Sequence, residues 1–209
     1  AITEMEPGLI SLVDRLLDNM QAQGKADLIE DFASAIPVEV IGNLLAIPHE
    51  DRAPLRGWSL AILGALEPFL TEDLQARGER AVGEFLAYLR DLVTDRRAHP
   101  GNAEHDVLTR LILGETSGEK LSEIELLQNC IFILNAGHET TTNLIGNGLE
   151  LLLRFPDQRQ RLINDPALIK PAVEEFLRFE SSNQLGNRRV VQNTEIDGGS
   201  IPEGALITL

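Results

Sequence analysis

Apolar positions recur at helical spacing through the first 180 residues, and only after that does the pattern change to strand and turn chemistry. Leu9, Leu12, Val13, Leu16 and Leu17 form an i, i+3, i+4 stripe that ends near Gly24, a residue suited to a helix C-terminus. The same reasoning predicts a second helix over 29–45, closed by Pro48, and a third over 51–66. The third stops at Glu67-Pro68 because the residue before proline disfavours the helical region. A long amphipathic helix is expected over 71–97. Leu74, Ala81, Val82, Phe85 and Leu89 form its apolar face, and Arg96-Arg97 sit at its end, where the dipole is negative. His99-Pro100-Gly101-Asn102 reads as a loop, 107–113 as a short helix, and 116–120, with Gly118, as a second loop.

Ser122 and Glu125 then stand at the spacing of a capping box, in which each side chain satisfies a free backbone donor of the first turn. The helix they open runs to Phe155-Pro156, about 30 residues and roughly 45 Å at 1.5 Å per residue. Two more helices are predicted at 156–164 and 167–179. From Arg188 onward, Val190-Val191, Ile196, Ile201 and Leu206-Ile207 alternate with polar residues and with turns at Asp197-Gly198-Gly199 and Pro202-Glu203-Gly204. The expected fold is mainly α with a small β region at the C-terminus. It forms one domain over 1–209, helical over 1–180 and stranded over 181–209.

The composition narrows the class. A chain of 209 residues with 43% hydrophobic and 24% charged residues is an ordinary globular balance. Its net charge of −15 argues against nucleic-acid partners, whose phosphates demand a basic face. No apolar stretch reaches the ~18–20 residues of a membrane span, and Ala1-Ile2-Thr3-Glu4 opens no export signal, so a cytoplasmic location is expected. The single Cys130 excludes an internal disulfide and any multi-cysteine metal site.

The chemistry concentrates on the long helix. Gly137 in a helix interior costs about 1 kcal/mol relative to Ala, and the β-branched run Thr140-Thr141-Thr142 adds smaller penalties, so propensity alone disfavours this segment. A Thr140 hydroxyl can bond the Ala136 carbonyl four residues back, Gly137 lets a flat group approach the backbone, and Glu139 brings an ionisable carboxyl. The competing reading is a glycine packing contact, a buried Thr and a surface Glu. His138-Glu139 also begins the His-Glu-x-x-His zinc motif, but position 142 is Thr142, so no metal site is expected. Glu175 and Arg178 stand at i, i+3 on one helix face, where carboxylate and guanidinium can pair.

The order Ala136-Gly137-His138-Glu139-Thr140-Thr141, then Glu175-Phe176-Leu177-Arg178, then Arg189-Val190-Val191 with Thr194-Glu195-Ile196 and Ile201-Pro202-Glu203-Gly204 resembles a bacterial cytochrome P450, a haem-thiolate monooxygenase. The likeness covers the whole chain. It implies a partial P450 fold, from about the D helix through the I and K helices into the strands beyond, with haem b as cofactor. It also implies a small organic substrate, dioxygen, and a ferredoxin-type or reductase electron donor.

The resemblance further implies roles for single residues. Thr140 would hydrogen-bond iron-bound dioxygen or its water, and Glu139 would relay protons. Ala136 and Gly137 would lie against the haem, and Phe132 and Asn135 would point toward substrate, with 181–187 as a second wall. Arg188 or Arg189 would bind a haem propionate, with the spacing to Glu195 favouring Arg188. Glu175 and Arg178 would be a buried structural pair, and the helices at 51–66 and 71–97 a lid over the substrate channel. The family's proximal Phe-x-x-Gly-x-x-x-Cys loop and its Trp-x-x-x-Arg helix are not in this sequence. Trp58 is followed by Ser59-Leu60-Ala61-Ile62, and Cys130 lies on the distal helix, where a small buried hydrophobe is expected. The expectation is therefore an internal piece of a monooxygenase. The alternative is a haem-free helical fragment without catalysis of its own.

Overall fold

The computed structural model describes residues 2–67, 69–102, 104, 106–114 and 121–209, and the chain divides into two compact units, 1–150 and 151–209. The expected loop at 116–120 lies outside the described residues.

The first unit is helical. Helix α1 (Ile2–Gln23) ends where Gly24, at φ +72°, donates its N–H to the Met20 carbonyl, a left-handed cap that glycine adopts without strain. The helix expected over 29–45 is divided in two. Leu28–Ala33 forms a π-helical turn, capped by the Asp27 carboxylate, which accepts from the N–H groups of Ile29 and Glu30; those donors hold its pKa down. Helix α2 (Ala35–Leu44) follows, with Pro37 in its first turn, where a missing N–H breaks the ladder behind it. The third predicted helix is shorter than expected. A 3-10 turn at His49–Asp51 precedes α3 (Leu55–Gly64), because Pro54 supplies the residue before the first turn.

Helix α4 (Glu72–Ala98) is capped by Thr71, whose hydroxyl accepts the Leu74 N–H at 3.2 Å. Its buried stripe contains Ala81, Phe85 and Leu89 as expected and adds Gly78, Leu92 and Val93, while Leu74 and Val82 are half-buried. Gly78 faces Ala65 and the Ala61 carbonyl so closely that a methyl group has no room. Trp58 of α3 stacks on Phe85 at 5.0 Å, which locks α3 to α4. Helix α5 (Val107–Gly114) opens on buried Asp106, which accepts from the Thr109 N–H and hydroxyl at 2.8 and 2.6 Å. The core joins these helices to α6 (Glu123–Arg154) through Ile41, Leu55, Phe85, Leu89, Leu126 and Leu134. The capping box is realised, with the Ser122 N–H donating to Glu125 at 2.7 Å and the Glu125 N–H to Ser122 Oγ at 3.3 Å.

The second unit holds the last turn of α6, then α7 (Pro156–Asn164), a 3-10 turn at Pro166–Leu168, α8 (Ile169–Phe179) and four short strands. Strands β2 (Thr194–Ile196) and β3 (Gly199–Ile201) form the expected hairpin; Asp197 and Gly198 both have positive φ, the turn that matches strand twist. Strands β1 (Asn187–Arg189) and β4 (Leu206–Thr208) pair antiparallel around it, Arg188 opposite Ile207. Val190 lies just past β1, yet its backbone continues that ladder through Ala205 and Gly204. No helix among the described residues is long and apolar enough to cross a membrane.

Candidate functional site

Helix α6 presents an exposed stripe made by residues four apart: Gln128, Phe132, Ala136 and Thr140. Phe132 is 68% exposed, an unusual state for an aromatic on a helix whose opposite face is core. Thr140 donates its hydroxyl to the Ala136 carbonyl at 2.8 Å, as the spacing predicts, and Thr142 does the same to His138 at 2.9 Å. Two consecutive turns of the ladder thus share a carbonyl with a side chain, while the helix stays continuous from 123 to 154. Asn135 and Glu139 flank the stripe and are half-buried.

Four of the predicted residues, Phe132, Asn135, Glu139 and Thr140, therefore surround Ala136. Gly137 does not join them. A side chain built there meets the Ile41 side chain at 3.2 Å, so the missing Cβ makes room for helix packing. The buried threonine is Thr142 rather than Thr140. Cys130 is fully buried, and burial pushes its thiol up to about 12, the state of an inert core sulfur.

In the second unit, Arg178 binds Glu175 bidentately, Nε and Nη2 each 2.7 Å from a carboxylate oxygen. The pair is exposed, 67% and 57%, where the resemblance implied burial. The guanidinium hydrogen-bonds the carboxylate and holds it below its usual range, and the carboxylate raises the arginine in return. Arg188 and Arg189 are both exposed, and as neighbours on β1 they point to opposite faces, so a ligand on one face meets only one of them. The sequence reading missed a groove of about 440 Å³ bounded by Leu151, Phe155, Leu162, Leu168, Phe176 and Phe179. Its signal was present in the spacing 172, 176, 179 on α8, with Leu168 in the turn before it.

The family model for cytochrome P450 matches residues 58–209, almost three quarters of the chain. The chain belongs to the cytochrome P450 family. It is 39% identical over 210 residues to the vitamin D(3) 25-hydroxylase of Pseudonocardia autotrophica, covering 100% of this chain and 50% of that protein. It is 34% identical over 204 residues to the biotin biosynthesis cytochrome P450 of Bacillus subtilis, covering 98% and 51%. Among solved P450 structures, P450BioI in complex with a hexadec-9Z-enoic acid-ligated acyl carrier protein superposes with a TM-score of 0.92 at 33% identity, over 99% of this chain and 52% of that one. The chain spans about half the length of the curated relatives it matches. The fold is accordingly a partial P450 fold, mainly helical with its strands at the end.

The group that a P450 carries is haem, and the α6 stripe fits a flat macrocycle. Its middle residue is the methyl-bearing Ala136, no charged side chain lies on the line from Phe132 to Thr140, and the stripe is uncovered. The residues of this chain supply no thiolate to the iron, since Cys130 faces the core.

Proposed function

We propose that this chain is the central part of a haem-thiolate monooxygenase, and the observation that carries the reading is the exposed Phe132–Ala136–Thr140 stripe with Thr140 bonded to the Ala136 carbonyl. When bound, haem b supplies dioxygen activation and insertion of one oxygen atom into an organic substrate. Ala136 gives the flat group its contact surface. The Thr140 hydroxyl spends its proton on the Ala136 carbonyl, so its lone pairs face outward and accept a hydrogen bond from a water or a protonated oxygen. Glu139, half-buried beside it, would pass a proton to the water held there and take one back from solvent. Phe132 and Asn135 border the substrate, one by apolar area and one by its amide. Arg188 or Arg189 pairs with a propionate carboxylate through charge-assisted hydrogen bonds. Glu175 and Arg178 pair on the exposed side of α8, and Gly137 lets Ile41 pack against α6.

The enzyme takes two electrons from a ferredoxin-type or reductase donor, acts on a small organic molecule, and works in the cytoplasm. The test is substitution in the haem-loaded enzyme that contains this chain. Thr140→Ala leaves substrate binding nearly intact and diverts reducing equivalents to peroxide, read as product formed per electron donor consumed. An unchanged ratio removes Thr140 from the mechanism.

A second reading, a haem-free helical fragment without catalysis, draws on the uncovered apolar area of the 151–179 groove. Carbon-monoxide difference spectroscopy on the 209-residue chain separates the two.

A further inference from the structure

Six buried polar side-chain atoms among the described residues of the first unit have no hydrogen-bond partner: Arg56 Nε, Ser59 Oγ, Arg96 Nε, Asn135 Oδ1, and both ring nitrogens of His138. Arg96 Nε, on α4, faces the Asp106 carboxylate at 3.7 Å; the other five stand on two helices. Arg56 and Ser59 stand one turn apart on α3, and Asn135 and His138 stand one turn apart on α6. The two helices share the core through Leu55 and Leu134, and the Arg56 charge acts on the His138 ring. Ser59 is 0% exposed and His138 1%. Native interiors do not leave such groups unpaired, and where side chains do not reach one another a buried water makes the bonds.

We infer that Arg56, Ser59, Asn135 and His138 enclose a buried water site between α3 and α6, with His138 as a positioning residue that holds the water one helical turn from Glu139. The chemistry of the donor set suits a water. Arg56 Nε–H and the protonated His138 nitrogen donate; Asn135 Oδ1 and the other His138 nitrogen accept; the Ser59 hydroxyl does either. The two nitrogens of one imidazole point apart, so a single water reaches only one of them: one water serves Arg56 Nε, Asn135 Oδ1, the Ser59 hydroxyl and one His138 nitrogen, and a second water serves the other. Burial keeps the ring neutral, which preserves the acceptor that a charged imidazole lacks. One terminal nitrogen of Arg56, Nη2, donates to the Glu30 carboxylate at the surface and so tethers the guanidinium there.

The water matters because of where it sits. Asn135 is four residues before Glu139 on the same face of α6, so a water on Asn135 Oδ1 brings an exchangeable proton beside the carboxyl assigned to proton transfer. This step rests on the monooxygenase reading; the water site itself does not.

The experiment has two arms on the haem-loaded enzyme containing this chain. In a crystal structure at a resolution that orders internal solvent, we expect water density bonded to at least three of the five atoms. In His138→Leu that density disappears; direct side-chain bonds among the four residues, or a dry pocket in the wild type, overturn the site. In the second arm, His138→Leu lowers product per electron donor consumed and changes the solvent isotope effect on product formation, while His138→Gln, which can still bond water, restores both. Equal behaviour of the Leu and Gln variants overturns the positioning role. The carbon-monoxide band of each preparation reports the haem reading separately, so its loss in the wild type counts against that reading and leaves the water density to decide the site.

Discussion

Two glycines on α4 put the packing of α3 against α4 to a quantitative test. Gly83 is exposed, and an added methyl meets nothing within 4 Å, whereas Gly78 is buried, and a methyl added there would run into the Ala65 methyl and lie 3.1 Å from the Ala61 carbonyl oxygen. Replacing either with Ala gains roughly 0.5–1 kcal/mol by restricting the unfolded chain and favouring the helix. That gain is common to both. The difference between the variants therefore isolates the crowding at Gly78, where neither a backbone carbonyl nor a methyl fixed to its backbone can swing aside, and overpacking of this kind costs about 1–3 kcal/mol. Gly83→Ala should raise the urea midpoint, and Gly78→Ala should fall below it by that amount with the slope unchanged. Ala65→Gly added to Gly78→Ala should recover most of the loss, since the double variant reopens the space. If Gly78→Ala is as stable as Gly83→Ala, the close approach of α3 to α4 is wrong.

His138 gives a pH prediction. Burial, and then the Arg56 charge, hold its pKa below 6.5, so the folded state resists a proton that the unfolded state accepts. Stability from this residue is complete above about pH 6.5 and falls as pH drops below it toward the folded value, by up to ~1.4 kcal/mol per pH unit. The slope of stability between pH 7 and 5, wild type minus His138→Leu, measures it, and a zero difference refutes it. Arg178→Ala should leave the urea midpoint within error, because water solvates both partners of the exposed pair; a large fall would mean that a buried partner depends on it.

Local signals in the sequence were legible. The Ser122–Glu125 box and the Asp197-Gly198 turn lie within a few residues of their partners, and both form as read. Phe132, Ala136 and Thr140 were set at one site by the family resemblance; their four-residue spacing puts them on one face, and only the structure shows that face exposed. The packing of Gly137 on Ile41 was not legible, because a motif is written along the chain while the helix turns about 100° per residue, which carries position 137 to the side facing Ile41. The β1–β4 ladder was not legible, since Asn187 and Thr208 pair across an intervening hairpin, and neither strand carries a pattern longer than three residues. The polar pocket was hidden for a different reason. Arg56, Ser59, Asn135 and His138 are single polar residues on two helices, and each reads as surface until its neighbours are known.

Cys130 has a use that no other residue of the chain offers. With its thiol pushed up to about 12 and its surface fully covered, fewer than about one molecule in a thousand carries a thiolate at pH 8, and none of it is reachable. A thiol reagent can therefore react only when the core around α6 opens. The rate of modification becomes a clock for that opening, read at one sulfur atom without a label or a mutation. Any ligand that settles on the opposite, exposed face of α6 and stiffens the helix slows the clock without touching the sulfur.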